Sequence, residues 1–125
     1  MIFRYARHTN QLNKLTHFYT QVLSFEILGD FKDHDGYNGI FLGLPEALWH
    51  LEFTESDEGV NQQFDEDDIL VFYPESPEHY EQLIQNIQTL NIPFHTPKNP
   101  YWQSNGKLIK DPDGYNIIIS DFKIR

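Results

Sequence analysis

A histidine and a glutamate lie two residues apart in the stretch ALWHLEFTE, where apolar and polar residues alternate. An alternation of period two is typical of a β-strand with two unlike faces. Trp49, Leu51 and Phe53 are therefore predicted to face a core, and His50 and Glu52 to point together from the opposite face. An imidazole and a carboxylate at this spacing can chelate a divalent metal, exchange a proton with a substrate, or hydrogen-bond each other.

The bulk composition favours one folded domain. The chain has 125 residues, of which 39% are hydrophobic, enough for a single core. Its 9 basic and 19 acidic residues give a net charge of −10, which disfavours binding to nucleic acid or to an anionic membrane. Cysteine is absent, so a disulfide framework and a thiol nucleophile are excluded. No signal peptide or membrane span is recognisable, and we expect a cytoplasmic protein.

The order of predicted elements repeats once along the chain. In the first half, strands are predicted over 2–8, 25–32, 37–44 and 48–54, with a helix that Thr9 or Asn10 caps and that ends at Leu23. In the second half, a strand over 69–73 precedes a helix with Ser76 as its cap and Pro77 at its first position. Strands over 93–96, 107–110 and 115–120 follow, with a hairpin turn predicted at Asn105–Gly106. We therefore predict an α+β fold of two tandem βαβββ modules with curved mixed sheets.

An acidic segment separates the two predicted modules within one domain, 1–125. Residues 55–68 hold seven carboxylates and no basic residue, which is typical of an exposed linker. The predicted boundaries are module 1–55, linker 56–67 and module 68–125. The near-identical DHDGYN (33–38) and DPDGYN (111–116) fall at different places in the two modules. We interpret them as shared turn chemistry.

Three motifs resemble the vicinal oxygen chelate superfamily, which includes glyoxalase I, bleomycin- and fosfomycin-resistance proteins and extradiol dioxygenases. They are the helical segment QLNKLTHFYTQVLSF, the strand WHLEF, and DPDG followed by apolar residues. The resemblance covers essentially the whole chain in the right order. It implies two βαβββ modules with U-shaped sheets, and a homodimer in which modules of both chains enclose each cavity.

The resemblance also implies four metal-ligand positions, one in the first and one in the fourth strand of each paired module. These positions fall on Arg4, Glu52, Ile69 and Ile118 in this chain. Only Glu52 can bind a cation, and Arg4 opposes one because its guanidinium cannot be deprotonated. We therefore expect no cofactor, and a buried ion pair between Arg4 and Glu52 in place of the metal.

The favoured hypothesis is a protein that binds a small organic molecule in a dimeric cavity without the standard metal. The predicted ligand-binding residues are Arg4, His50 and Glu52, with Tyr101 and Trp102 near the cavity mouth. Exposed aromatic rings beside a cleft can stack on a planar or cationic ligand. The resemblance implies a role like that of the sequestering members of the superfamily.

The alternative is a metal-dependent lyase, isomerase or transferase of the glyoxalase type. In that case Glu52, His50 and His8 would bind Zn, Ni, Mn or Fe, and His50 and Glu52 are the candidate catalytic residues. A purely structural subunit is a third possibility, and the sequence leaves the ligand and the reaction open.

Overall fold

The computed structural model describes residues 1–123 and divides the chain into two compact units, Met1–Gln62 and Gln63–Arg125. Unit 1 contains β1 (Phe3–His8), α1 (Leu12–Val22), β2 (Glu26–His34), β3 (Tyr37–Gly43) and β4 (Trp49–Glu55). Unit 2 contains β5 (Ile69–Phe72), α2 (Pro77–Thr89), α3 (Pro100–Asn105), β6 (Lys107–Lys110) and β7 (Asn116–Ile119). The predicted α+β class is confirmed. No helix within residues 1–123 is long and apolar enough to cross a membrane.

The sheet of unit 1 has the strand order β1-β4-β3-β2. β1 runs parallel to β4, while β3 is antiparallel to both of its neighbours. Helix α1 packs against β3 and β4, and Tyr19 in this helix stacks on Phe53 with ring centroids 5.1 Å apart. Leu51 and Phe53 are buried, as the alternation in β4 predicts. One face of the sheet is therefore closed by the helix, and His50 and Glu52 lie on the other face.

The start of α1 differs from the prediction that Thr9 or Asn10 caps it. The helix begins at Leu12, and its N-cap residue Gln11 makes no side-chain capping bond. Instead, the Leu12 N–H donates to Oε2 of Glu55, 3.2 Å away at the end of β4. The carboxylate of a residue on β4 thus accepts from a backbone N–H of α1 that has no partner within the helix.

Unit 2 forms a three-stranded sheet in the order β5-β7-β6. The predicted strand over 93–96 is wrong, because only an isolated bridge from His95 to Leu108 forms there. Pro93 and Pro97 have no backbone N–H to donate to a strand ladder, which limits pairing on both sides of His95. Unit 2 therefore has one paired strand fewer than the predicted module.

A short helix, α3, occupies the stretch where the hairpin turn at Asn105–Gly106 was predicted. Asn105 is the last residue of α3, and the N–H of Gly106 donates to the carbonyl of Trp102. At the other end, the Asn99 side chain accepts a hydrogen bond of 3.0 Å from the Tyr101 N–H. The hairpin prediction is wrong because the asparagine-glycine pair here ends a helix.

The two similar turns share a glycine but differ in the role of their first aspartate. Gly36 and Gly114 have φ angles of +85° and +87°, a region that glycine adopts without steric cost. In the second turn, Oδ1 of Asp111 accepts hydrogen bonds from the N–H groups of Asp113 and Tyr115. In the first turn the Asp33 N–H donates to the side chain of Asn38, so the turn chemistry is only partly shared.

The acidic segment is held to unit 1 by side-chain hydrogen bonds. Asn10 pairs with both backbone groups of Val60, because its Nδ2 donates to the carbonyl at 2.7 Å and its Oδ1 accepts from the N–H at 2.9 Å. Nε2 of Gln62 donates to the carbonyl of His8 at 2.7 Å. The first part of the segment is thus anchored beside β1 and α1.

The second part of the segment is held within unit 2 by a buried amide. Nδ2 of Asn116 lies 3.2–3.3 Å from the carbonyl oxygens of Asp65, Glu66 and Asp68. Asn116 is only 2% exposed, whereas the carboxylates of this stretch face solvent. This part of the segment therefore exposes its carboxylates and is fixed through its backbone.

Asn10→Ala should loosen the first anchored part without unfolding the sheet. We expect hydrogen exchange of the Val60 amide to accelerate about tenfold, because each lost hydrogen bond contributes about 1 kcal/mol. Hydrogen exchange followed by NMR measures this rate. Asn61→Ala is the matched control, and equal protection of Val60 in both variants would contradict the assignment.

Candidate functional site

The strand register brings Arg4, His50 and Glu52 together on the open face of unit 1. Arg4 lies directly opposite His50 in the parallel pair of β1 and β4, and Glu52 follows two residues later on the same face. Nε of Arg4 donates a hydrogen bond of 3.0 Å to Nε2 of His50. Nη1 of Arg4 lies 3.7 Å from Oε1 of Glu52. One guanidinium therefore joins the imidazole to the carboxylate.

The ion pair is half-exposed, and the expectation of a buried pair is wrong. The side chain of Arg4 is 51% exposed and that of Glu52 is 13% exposed. A pair in this setting contributes only about 0–1 kcal/mol to stability, since water screens it. The arrangement therefore fixes the position of a cation more than it stabilises the fold, and the outer part of the guanidinium remains open to solvent.

An aromatic wall flanks this cation, and sequence reasoning missed it. The Arg4 guanidinium lies 4.9 Å from the ring centroid of Phe41, and the His50 ring meets the same phenyl ring at 5.7 Å in an edge-on arrangement. Phe41 stands opposite Glu52 in the antiparallel pair of β3 and β4. Phe31 extends the wall, with its centroid 6.0 Å from that of Phe41. The alternation of β3 could have assigned Phe41 to this face.

His8 lies on the same face of β1 but makes a separate cluster. Its Nδ1 lies 2.8 Å from Oγ1 of Thr54, and its Nε2 lies 3.1 Å from Oγ of Ser56. The ring also meets Tyr37 edge-on at 5.7 Å. Both ring nitrogens of His8 therefore face hydroxyl groups, and the hydrogen bonds of His50 and Glu52 do not include His8.

The donor set at the implied metal positions does not fit a metal ion. In unit 1, Arg4 pairs with His50, which lies two residues before Glu52. In unit 2, Ile69 pairs with Asn116, which lies two residues before Ile118. Ile69 and Ile118 therefore occupy the strand positions that Arg4 and Glu52 occupy in unit 1. The four positions supply one carboxylate, one permanent cation and two alkyl side chains. In residues 1–123 no group of three or more His, Cys, Asp or Glu side chains could hold a metal ion.

Tyr101 and Trp102 lie on α3 in unit 2. Tyr101 is 48% exposed, and its ring meets that of Trp102 edge-on at 4.8 Å. Trp102 is half-buried and lies close to Gly106, where an added Cβ would stand 3.3 Å from the indole and 2.5 Å from Ile118. Helix α3 thus places the indole beside Ile118.

The architecture is that of the glyoxalase-like proteins. Glyoxalase I of Leishmania major, a trypanothione-dependent enzyme, superimposes with a TM-score of 0.75 at 20% identity, covering 98% of this chain and 87% of that one. The fosfomycin resistance protein FosX of Listeria monocytogenes, in a structure with Mn(II), gives a TM-score of 0.64 at 13% identity. The comparison covers 94% of this chain and 88% of that one. At these identities the likeness defines the fold alone.

Sequence comparison identifies a narrower family than the shared fold does. Residues 3–54 match the YycE-like N-terminal domain and residues 67–121 match the YycE-like C-terminal domain. The YycE protein of Bacillus subtilis is 35% identical over 121 residues, which are 96% of this chain and 87% of that protein. Its crystal structure, described as of unknown function, gives a TM-score of 0.85 over 96% of this chain and 88% of that one. The chain belongs to the YycE-like family, and its predicted membership in the vicinal oxygen chelate superfamily is confirmed.

Proposed function

We propose that this protein binds a small organic molecule on the open face of unit 1, without a metal ion at the positions that the superfamily uses. The observation that carries the proposal is the guanidinium of Arg4, hydrogen-bonded to His50 and 3.7 Å from the carboxylate of Glu52. A permanent cation at this point opposes a divalent cation at Glu52.

The chemistry of the face indicates what such a molecule carries. Arg4 offers several N–H donors, of which His50 and Glu52 engage only part, and half of its side chain is exposed. A ligand oxygen from a carbonyl or carboxylate group can accept from the remaining donors. Phe41 and Phe31 provide two apolar rings beside them, tilted by 50° to each other, and the face of a single ring can stack on a planar group of the ligand.

The proposal includes a homodimer, as expected from the superfamily, with modules of two chains enclosing each ligand. The half-exposed Arg4 supports it, because a second surface over this face would complete a cavity. Analytical ultracentrifugation measures the oligomeric state, and a monomer at micromolar concentration would contradict this part. A cytoplasmic location remains a prediction, which fractionation of the source cells tests.

Arg4→Met should weaken the binding of a small molecule to this face about tenfold, because a charge-assisted hydrogen bond is lost. The ligands come from an NMR screen of small planar carboxylates, ketones and amines, which maps shifted amides to Arg4, Phe41 and His50. Calorimetry then compares the wild type with Arg4→Met and with Lys14→Met on α1, the control that removes a distant cation. Hits that shift other residues, or that bind Arg4→Met unchanged, would contradict the proposal.

A second experiment tests whether the site works without a metal ion, as proposed, or belongs to a metal-dependent enzyme. Elemental analysis of the purified protein and calorimetric titration with Zn, Ni, Mn and Fe(II) are compared between the wild type and Glu52→Gln. We expect no stoichiometric metal in either protein. Stoichiometric metal that Glu52→Gln abolishes would favour a glyoxalase-type enzyme.

A further inference from the structure

A cavity of about 400 Å³ lies in unit 2, and a small recess of about 80 Å³ adjoins it. Both are lined by Glu66, Pro97, Lys98 and Leu108, so they form one continuous depression. The larger part lies within the range of volumes that bind small organic molecules. The smaller part can take only a few atoms by itself.

The recess has an apolar wall and a polar rim. Ile69, Trp102, Leu108 and Ile118 form the wall, and the rim contains Glu66, Asp67, Lys98 and Asn99. Two of these residues, Ile69 and Ile118, stand at strand positions equivalent to Arg4 and Glu52 of unit 1 in the register of each sheet. Ile69 and Ile118 therefore add alkyl groups to the recess, and Trp102 on α3 adds an indole.

The larger part of the depression carries two ammonium groups. Lys98 and Lys110 both line it, in a chain with only 9 basic residues against 19 acidic ones. Nζ of Lys110 donates to Oδ1 of Asn116 at 2.8 Å and keeps two further N–H donors. Among residues 1–123, Lys98 makes no hydrogen bond or ion pair, so its charge is available to a ligand.

We propose that this depression is a binding site for a small organic anion with an apolar body. The carboxylate or similar anionic group lies between the ammonium groups of Lys98 and Lys110, and the apolar body lies against Trp102 and Ile118. Lys110 lines only the larger part, whereas Trp102 and Ile118 line only the recess, and this difference orients the ligand. The observations that carry this proposal all lie in unit 2 and do not rest on the function proposed for unit 1.

The effect of Glu66 on ligand affinity shows whether the bound ligand is an anion or a cation. Glu66 lines both parts of the depression, and the negative charge of its side chain repels an anion, while the two lysines attract it. Neutralising Glu66 should therefore strengthen the binding of an anion, whereas neutralising either lysine should weaken it. A cationic ligand would show the opposite order in all three variants.

The probe is 2-naphthoate, with the neutral 2-naphthamide as its matched analogue, measured by calorimetry and by quenching of indole fluorescence at low ionic strength. We expect the anion to bind about tenfold more tightly than the amide. Lys98→Met and Lys110→Met should each weaken it about fivefold, and Glu66→Gln should strengthen it about threefold. Lys107→Met is the control, because this lysine lies on the opposite face of β6, near Phe94.

Four outcomes would overturn the proposal. They are equal affinity for the anion and the amide, unchanged binding in the folded Lys98→Met protein, weaker binding in Glu66→Gln, and loss of binding in Arg4→Met with binding retained in the lysine variants. The last outcome would assign the anion to unit 1. Lys98→Met is decisive among the lysine variants, because Lys110→Met also removes a hydrogen bond to the buried Asn116.

Discussion

Arg4→His should give this protein a much higher affinity for divalent metal ions than the wild type has. The substituted imidazole would stand opposite His50 and diagonal to Glu52 in the register of β1 and β4. Two imidazoles and one carboxylate form a donor set that binds Zn²⁺, Ni²⁺ and Fe²⁺. The substitution also removes a cation that lies 3.7 Å from the carboxylate.

The expected gain in affinity is roughly hundredfold or more. Two unit charges about 4 Å apart repel by about 1 kcal/mol in water and about 4 kcal/mol near a protein surface, and the third donor adds to this gain. Calorimetry with Zn²⁺ and the visible absorption of bound Co²⁺ measure it. A wild type that binds metal as tightly as the variant would contradict the prediction.

Two further variants separate the contributions of charge and donor. Arg4→Met removes the cation without adding a ligand, and we expect it to bind metal weakly. Adding Glu52→Gln to Arg4→His removes the carboxylate, which should abolish most of the gain. If the double variant binds as tightly as Arg4→His alone, then the metal lies at another group of histidines and this description of the site is wrong.

The sequence predicts the parts of the fold that depend on local chemistry and on alternation. Ser76 caps α2 at the predicted residue and accepts a hydrogen bond of 3.0 Å from the His79 N–H, with Pro77 in the first position. β6 has the predicted bounds. Both follow from residues that are neighbours in the chain, so no knowledge of the tertiary structure is needed.

The same local chemistry could have identified α3. Asn99 and Pro100 repeat the pattern of a polar cap followed by proline that marks the start of α2. The asparagine-glycine pair at its end was interpreted as a hairpin because that pair favours tight turns. Two local signals competed, and the cap at Asn99 together with the return bond from Gly106 to Trp102 decided in favour of a helix.

The contacts of the candidate site depend on strand pairing, which the sequence gives only in part. The common face of Arg4, His50 and Glu52 follows from alternation, and the hydrogen bond between Arg4 and His50 requires the parallel register of β1 with β4. The same register sets His8 opposite Thr54, which directs its ring to hydroxyl groups. The recess in unit 2 depends on α3, which supplies Trp102 to its lining, and no periodicity in the sequence predicts it.

Asn116→Ala should destabilise unit 2 by about 2–3 kcal/mol, the largest stability effect that we expect from a single polar side chain here. Asn116 is 2% exposed and accepts from Lys110 at 2.8 Å. Its amide donors face the carbonyl oxygens of Asp65, Glu66 and Asp68. Truncation removes all of these bonds and leaves a cavity beside the central strand β7.

Urea denaturation measures the effect as a lower transition midpoint with an unchanged slope. Asn105→Ala is the matched control, because its exposed amide donates within α3 to the carbonyl of Tyr101, and we expect a change below about 0.5 kcal/mol. Asn116→Asp separates the two roles of the amide. It keeps the acceptor for Lys110 and replaces the donors by a carboxylate facing three carbonyl oxygens, so it should destabilise unit 2 at least as much as alanine. A stable Asn116→Asp protein with unaltered hydrogen exchange over residues 65–68 would mean that the amide does not hold the acidic segment.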